Sequence, residues 1–283
     1  MNSILILGAN GMLGHDLVET FSGDYEVTAW DIDDCDLTNK ELVVQKITEL
    51  QPDAIVNAAA YTAVDQAEED EATAQKVNGE AVGNVAAAAK ELDIPVVHVS
   101  TDYVFEGTNE QGYNEEDPTG PQNAYGRTKL AGEEALMNGH NKGYVVRTAW
   151  LYGHHGGNFV ETMMKLAAEK DELKVVNDQH GSPTFTKDLA KQIRVLLEGI
   201  EAGEYEPGIF HATNSDATTW HDFAAEIFRL TNAEIDLSPC TTEEFPRPAK
   251  RPEWSVLNNN KLPSMRSWKE ALAEYIETRQ DTK

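Results

Sequence analysis

The sequence predicts an α/β fold: a Rossmann-type, doubly wound parallel sheet with a smaller C-terminal lobe. Three observations carry this. Through the first 153 residues, apolar runs of strand length alternate with amphipathic stretches of helix length, the pattern of βαβ units. The first apolar run ends in glycines spaced G-x-x-G-x-x-G, where a helix is about to begin. The second ends in an acidic residue, Asp31, 23 positions after Gly8.

The elements follow in order. SILILG (3–8) is apolar throughout and reads as a buried strand; LGHDLVETF (13–21) has helical spacing. YEVTAWD (25–31) is the second strand and 39–51 the second helix. DAIVN (53–57) is the third strand, followed by an Ala-rich helical region over 72–92. IPVVHVS (94–100) is the fourth strand, 124–138 a helix, and GYVVRTAWLYG (143–153) a fifth strand. Beyond 153 the alternation loosens: helix 157–170, strand 173–178, helix 186–201, strand 208–213 and helix 219–231. A Pro-rich loop (238–254) and a last helix (267–279) complete the chain. The expected division is a dinucleotide-binding domain over 1–153 and a mainly substrate-binding lobe over 154–283, with some strands returning to the main sheet. Right-handed crossovers place the strand C-terminal ends on one edge, where ligands bind in such sheets.

Composition narrows the function. Lys+Arg number 23 against 49 Asp+Glu, a net charge of −26. Such a surface repels nucleic acid and anionic membrane. There is no apolar run of about 18 residues, hence no expected membrane span. The opening MNSILILGAN lacks a basic n-region and a cleavage site, which points to a cytoplasmic chain. Cys35 and Cys240 are far apart and read as free thiols, with no metal or redox spacing.

The strand ends carry the chemistry. In GANGMLG, Gly8, Gly11 and Gly14 allow a tight turn and close approach to a pyrophosphate. Asn10, Met12 and Leu13 complete the turn and the helix N-terminus whose free N–H groups face the phosphates. Asp31 is placed to bond both ribose hydroxyls of NAD and to repel the extra phosphate of NADP, so NADH is favoured over NADPH. Asp36 and Leu37 bracket the adenine. NAAAYT ends the third strand with Ala58, Ala59, Ala60, Tyr61 and Thr62, small enough at first for a cofactor to lie across the sheet edge. VSTDYVF brings Thr101 and Asp102 to the same edge. Tyr125 precedes Lys129 by one helical turn in NAYGRTKLAG; alone, that pair is equally a solvated helix face. Arg247, Lys250 and Arg251 form the densest basic cluster in the chain, suited to a diphosphate.

In order, G-x-x-G-x-x-G, NAAA, STDYVF, YGRTK and RTAWLYG resemble the extended short-chain dehydrogenase/reductase family, and the likeness continues through DQHGSPT (178–184) and RPAKRPEWSVLNNNKL (247–262). Within it the chain is most similar to the branch that reduces the C4 keto group of dTDP-linked 4-dehydro sugars. The resemblance implies that Tyr125, Lys129 and Thr101 are catalytic. Tyr125 would donate a proton to the forming alkoxide, with Thr101 bonded to the same oxygen. Lys129 would lower the phenol pKa from its usual value of about 10 and hold the nicotinamide ribose. It also implies sugar contacts from Trp150, with Asp102, Arg247 and Arg251 nearby. The expected partner is a nucleotide sugar, and the chain is a monomer or a homodimer.

Dehydratases of this fold follow Thr-Asp with Glu, whereas Tyr103 stands here, and epimerases usually lack the Thr-Asp pair. A non-catalytic NAD(P)-binding regulatory subunit fits the cofactor motifs, but not the intact Thr101, Tyr125 and Lys129. Some relatives hold Mg²⁺ at a dimer interface through Glu; those positions fall on Asp16 and Lys187, and a lysine is no Mg²⁺ ligand. His154-His155 reads as a loop. No metal is expected.

Overall fold

In the computed structural model, which describes residues 1–279, the first strand β1 (Ser3–Leu7) alternates its side chains between two cores. Ile4 and Ile6 face one, Leu5 and Leu7 the other, as the period of two in a strand requires. Helix α1 (Met12–Phe21) leads to β2 (Glu26–Trp30), α2 (Lys40–Leu50) and β3 (Ala54–Asn57). Helices α3 (Val64–Glu69), α4 (Glu71–Gln75) and α5 (Ala81–Leu92) lead to β4 (Val96–Thr101); α6 (Ala124–Gly139) leads to β5 (Gly143–Thr148). Far along the chain, β10 (Gly208–His211) pairs with β5. The main sheet is six-stranded and wholly parallel, in the order β10-β5-β4-β3-β1-β2. The chain reverses its winding between β1 and β3, which opens a crevice at their C-terminal ends.

One face of the sheet is covered by α1 and by α8 (Thr186–Ala202), through Leu13, Leu17, Leu189, Ile193 and Leu196. The other is covered by α2, α5 and α6, through Val43, Ile47, Val82, Val85 and Leu136. A third, aromatic-rich core belongs to the C-terminal part. It joins Tyr152, Phe185, Phe223, Trp268 and Tyr275 from β6 (Leu151–Tyr152), β9 (Thr184–Phe185), α9 (Trp220–Thr231) and α10 (Trp268–Thr278).

The structure departs from the expected elements in three places. The helical region over 72–92 is broken: α4 passes through a π turn over Lys76–Glu80 before α5, and α3 precedes it. Asp70, at φ −136° and ψ 64°, separates α3 from α4 and caps the latter by accepting from Thr73 N. The expected fifth strand ends at Thr148, because Trp150 adopts a left-handed conformation with φ 49°. The two residues beyond it, β6, pair with β9 instead. The strand expected at 173–178 is β7 (Glu172–Val176), which pairs with β12 (Asp236–Cys240). The last three residues of the latter fall in the segment read as a Pro-rich loop (238–254).

Candidate active site

A cavity of about 850 Å³ runs along the C-terminal edge of the sheet, from the β1 turn to Trp150 and Trp220. At one end, Gly8 has φ 78°, and a Cβ there would sit 2.6 Å from Ala59 N. A Cβ on Gly14 would meet the Gly8 carbonyl at 2.2 Å. Both glycines are therefore fixed by close backbone approach. Gly11 caps α1 without a side-chain hydrogen bond, so the first amides of the helix remain available beside Asn10, Met12 and Leu13, which all line the cavity. A helix N-terminus with free amides suits an anion, and the turn that glycine alone can form is the shape a pyrophosphate requires.

Asp31 lines the same end. Its Oδ2 accepts from Asn10 N at 2.9 Å and its Oδ1 from Ile32 N at 2.8 Å, which holds the carboxylate at the rim. Asp36 folds back on Thr38, whose amide and hydroxyl both donate to Oδ1; the side-chain bond, then the backbone one, lowers its pKa. Leu37 offers its carbonyl to Asn84 Nδ2 at 2.9 Å, and Asp36 and Leu37 both form cavity wall. Ala58, Ala59, Ala60 and Thr62 continue that wall, but Tyr61 does not: its ring packs beside Tyr125 against Ala67, Ala74 and Ala124. Asn78 in the π turn is responsible for the path of this loop. It accepts from Tyr61 N, donates to Tyr61 O, and also reaches Thr128 Oγ1 of α6 at 3.2 Å. Asn78 carries no signal in the sequence, since a π turn leaves no mark in the apolar pattern.

Thr101 ends β4 and caps the 3-10 turn Asp102–Val104. Helix α6 begins at Asn123, which accepts from Gly126 N at 2.8 Å and donates to Lys250 O at 2.8 Å. Gly126 lets α6 settle on the β4 exit, because a Cβ there would lie 2.1 Å from Tyr103 O. These contacts bring Thr101, Asp102, Tyr125 and Lys129 onto one stretch of cavity wall. The Tyr125 phenol faces the Thr101 hydroxyl, and its ring meets Tyr103 edge-on at 5.7 Å.

The electrostatics correct one expectation. Lys129 does not lower the Tyr125 pKa; burial and then the Asp102 carboxyl push the phenol up to about 12. The ammonium turns instead to the Val99 carbonyl at 2.7 Å and to His98 Nε2 at 3.4 Å. Burial pulls Lys129 down to about 8, opposed by Glu133. Glu133 is bound to Arg147 at 2.6 Å and accepts from Ser100 at 2.5 Å. Burial, then Lys129, drives His98 well below its usual pKa, so the imidazole is neutral and can accept from the ammonium. Asp102 is buried, and burial pushes its pKa up to about 6.

At the far end, Trp150 stacks on Trp220 at 3.6 Å and 8°. A Cβ on Gly181 would lie 2.4 Å from the Trp150 ring, which gives the glycine of DQHGSPT its reason. Trp220 carries no distinct signal in the sequence, since an aromatic opening an amphipathic helix looks like core.

The basic cluster lies apart from this wall. Arg251 is ion-paired with Asp65 of α3 and also donates to Ala249 O at 2.7 Å. Arg247 lies over Phe245 at 4.8 Å, and Lys250 donates to Gln122 at 3.3 Å. None of the three lines the cavity. Lys187 is 3.5 Å from Glu274, and His155 stacks on His15 at 4.1 Å. Among the described residues there is no group of three or more His, Cys, Asp or Glu placed to hold a metal ion, no helix long and apolar enough to cross a membrane, and both cysteines are buried and free.

Fold and cleft together define a Rossmann-type oxidoreductase of the short-chain dehydrogenase/reductase class. The chain belongs to the RmlD substrate binding domain family, whose sequence model matches residues 1–280. It is 43% identical over 278 residues to a dTDP-4-dehydrorhamnose reductase of Streptomyces griseus, spanning 95% of this chain and 91% of that one. A crystal structure of a dTDP-4-dehydrorhamnose reductase from Clostridium acetobutylicum superposes with a TM-score of 0.92 at 48% identity, covering 97% of this chain and 98% of the other. The Bacillus anthracis enzyme of the same name, solved in complex with NADP, gives 0.93 at 39% identity, covering 98% and 100%.

Proposed function

We infer that this chain is an NAD(P)H-dependent reductase that converts dTDP-4-dehydro-L-rhamnose to dTDP-L-rhamnose, the last step in making that sugar donor for cell-surface polysaccharide. The observation that carries the reading is the single cavity wall joining the Gly8–Gly14 turn to Thr101, Tyr125 and Lys129. We read 1–153 as the cofactor half and 154–283 as mainly the substrate half, in a cytoplasmic monomer or homodimer.

A reduced nicotinamide supplies the hydride for C4 of the keto sugar. Tyr125 gives its proton to the oxygen that becomes the alcohol; a phenol pushed up to about 12 stays protonated at neutral pH, as a general acid must. Thr101 bonds the same oxygen. Lys129, held by Val99 O and His98, has donor capacity left for the cofactor ribose. Trp150 offers an aromatic surface to the hexose. The role first given to Arg251 loses support, since its charge is already met by Asp65.

The test is NADH oxidation with dTDP-4-dehydro-L-rhamnose and with its UDP counterpart. Turnover of neither would overturn the reading. The cofactor preference is a separate matter and rests on Asp31. NADH should bind at least as well as NADPH, and Asp31→Ala should shift preference towards NADPH by removing a hydrogen-bonded carboxylate and its repulsion. An affinity ratio equal to that of the parent would remove Asp31 from the ribose.

A further inference from the structure

Asp102 is a buried carboxyl with no cation in contact among the described residues. It is 2% exposed. Its Oδ1 lies 2.9 Å from Thr101 Oγ1, its Oδ2 is buried without a hydrogen-bond partner, and the nearby hydroxyl of Ser255, brought in by the C-terminal loop, donates to His180 O at 3.4 Å. The groups facing it from each neighbouring element are few. The phenol of Tyr103 comes from its own turn and that of Tyr125 from α6; neither carries charge at neutral pH. The Arg251–Asp65 pair stands beyond Tyr103 and satisfies itself. Lys129, one turn along α6, is directed at Val99 and His98.

The hydrogen-bond count at Thr101 then depends on Asp102. A hydroxyl has one proton and two lone pairs. One lone pair of Thr101 accepts from Tyr103 N at 3.2 Å. When Asp102 is ionised it has no proton to give, so the Thr101 proton goes to it, and Thr101 presents only a lone pair to the cavity. The Tyr125 phenol, which also faces Thr101, turns to the substrate oxygen when that is bound; with Asp102 protonated, its O–H then fills the second lone pair, and the Thr101 proton is free to point at the same oxygen.

We propose that Asp102 is a positioning residue that works in its protonated form, turning the Thr101 hydroxyl outward as a donor to the oxygen that becomes the alkoxide. No proton leaves Asp102. The two electrons arrive with the hydride at C4, the proton that ends on oxygen comes from Tyr125, and Thr101 stabilises the charge in between. This rests on the reductase reading above.

The geometry agrees with the rise of the Asp102 pKa to about 6, caused by burial. The kcat profile should therefore fall as pH rises through a group near 6, separately from the limb near 8 at which Lys129 loses its charge. The expected drop across the lower limb is about 10²-fold, the value of one donor to a developing oxyanion.

The experiment compares the parent, Asp102→Asn and Thr101→Val in NADH oxidation with the dTDP keto sugar across pH. It adds the infrared difference spectrum of the free parent minus Asp102→Asn at pH 5 and pH 8. The lower limb should vanish in Asp102→Asn, whose amide N–H donates to Thr101 at every pH. It should also vanish in Thr101→Val, where nothing remains to be turned. A protonated carboxyl band should appear at pH 5 and be lost at pH 8. Persistence of the limb in either variant, or carboxylate bands alone at pH 5, overturns the inference while leaving the reductase reading intact. A parent inactive on the keto sugar overturns the reductase reading and this inference with it.

Discussion

Tyr125, Lys129 and Thr101 share one wall, yet they should fail differently when substituted, and the pattern tests the roles given to them. Tyr125→Phe keeps the ring that meets Tyr103 and removes only the acidic hydroxyl. NADH should still bind with near parental affinity while kcat falls about 10²–10⁴-fold, the usual contribution of a positioned general acid. Lys129→Met removes a buried ammonium together with its bonds to Val99 O and His98, so kcat and NADH affinity should fall together. Thr101→Val should lower kcat with little effect on NADH. Steady-state kinetics and cofactor titration separate these cases, and parental turnover in Tyr125→Phe would overturn the catalytic assignment. The place of Thr101 was legible in the sequence because it closes a strand, and strand ends in a parallel sheet share an edge; Tyr125 and Lys129 were tied to it by the family resemblance, since that pair alone reads equally as a solvated helix face. The electrostatics were not. Nothing in NAYGRTKLAG shows that the phenol sits beside Asp102, or that a histidine two residues before Ser100 holds the ammonium. Those facts arise from packing between β4 and α6. Ser255 and Trp220 were illegible for a related reason: they reach the site from segments more than a hundred residues away along the chain from Asp102.

At the scale of elements, glycines let the pieces around the cavity approach closely, alongside the side-chain bonds of Asn78, Asp31 and Asn123. Gly132 lets α6 lie against the π turn, where a Cβ would be 2.1 Å from Asn78 O. Gly181 does the same for Trp150, which itself carries a left-handed backbone at φ 49°. A strained residue of this kind persists only where its surroundings hold it. Gly181→Ala should displace the Trp150 ring from Trp220, changing near-UV circular dichroism and raising KM for the sugar nucleotide, with NADH affinity retained. An unchanged KM would remove the Trp150–Trp220 wall from the substrate. The same close packing explains why element boundaries after residue 148 were misread. GYVVRTAWLYG carries no turn signal between Tyr144 and Tyr152, and the reversal at Trp150 is imposed by tertiary contacts that periodicity does not carry. Helices α1 and α8 bear on the metal question. Asp16 is buried and Lys187 pairs with Glu274. Treatment with EDTA is expected to leave activity and oligomeric state unchanged; loss of activity restored by Mg²⁺ would overturn that expectation.

The whole molecule poses an electrostatic problem for its substrate. It carries a net charge of −26, while the proposed ligands, a sugar nucleoside diphosphate and a dinucleotide, are both anions. The described structure offers little local relief at the cavity mouth. Arg251 is neutralised by Asp65, Arg147 by Glu133, and Arg247 and Lys250 lie off the cavity wall. Anion binding must then rely on the buried Lys129 ammonium and on fixed dipoles, chiefly the open N-terminus of α1, and the dipoles act over short range. At long range the molecule repels what it is to bind. Screening should therefore help. At about 0.01 M salt the Debye length is about 30 Å, and the repulsion extends well into solution; at about 0.15 M it is about 8 Å. Over that range kcat/KM for the sugar nucleotide should rise several-fold, carried by association and with kcat nearly constant, since steering acts on encounter. Stopped-flow cofactor binding at the same salt concentrations should show the rise in the on-rate while the off-rate stays level. A fall in kcat/KM with added salt would mean that attraction governs the approach, and it would bring the exposed Arg247 and Lys250 back as the residues that gather the diphosphate.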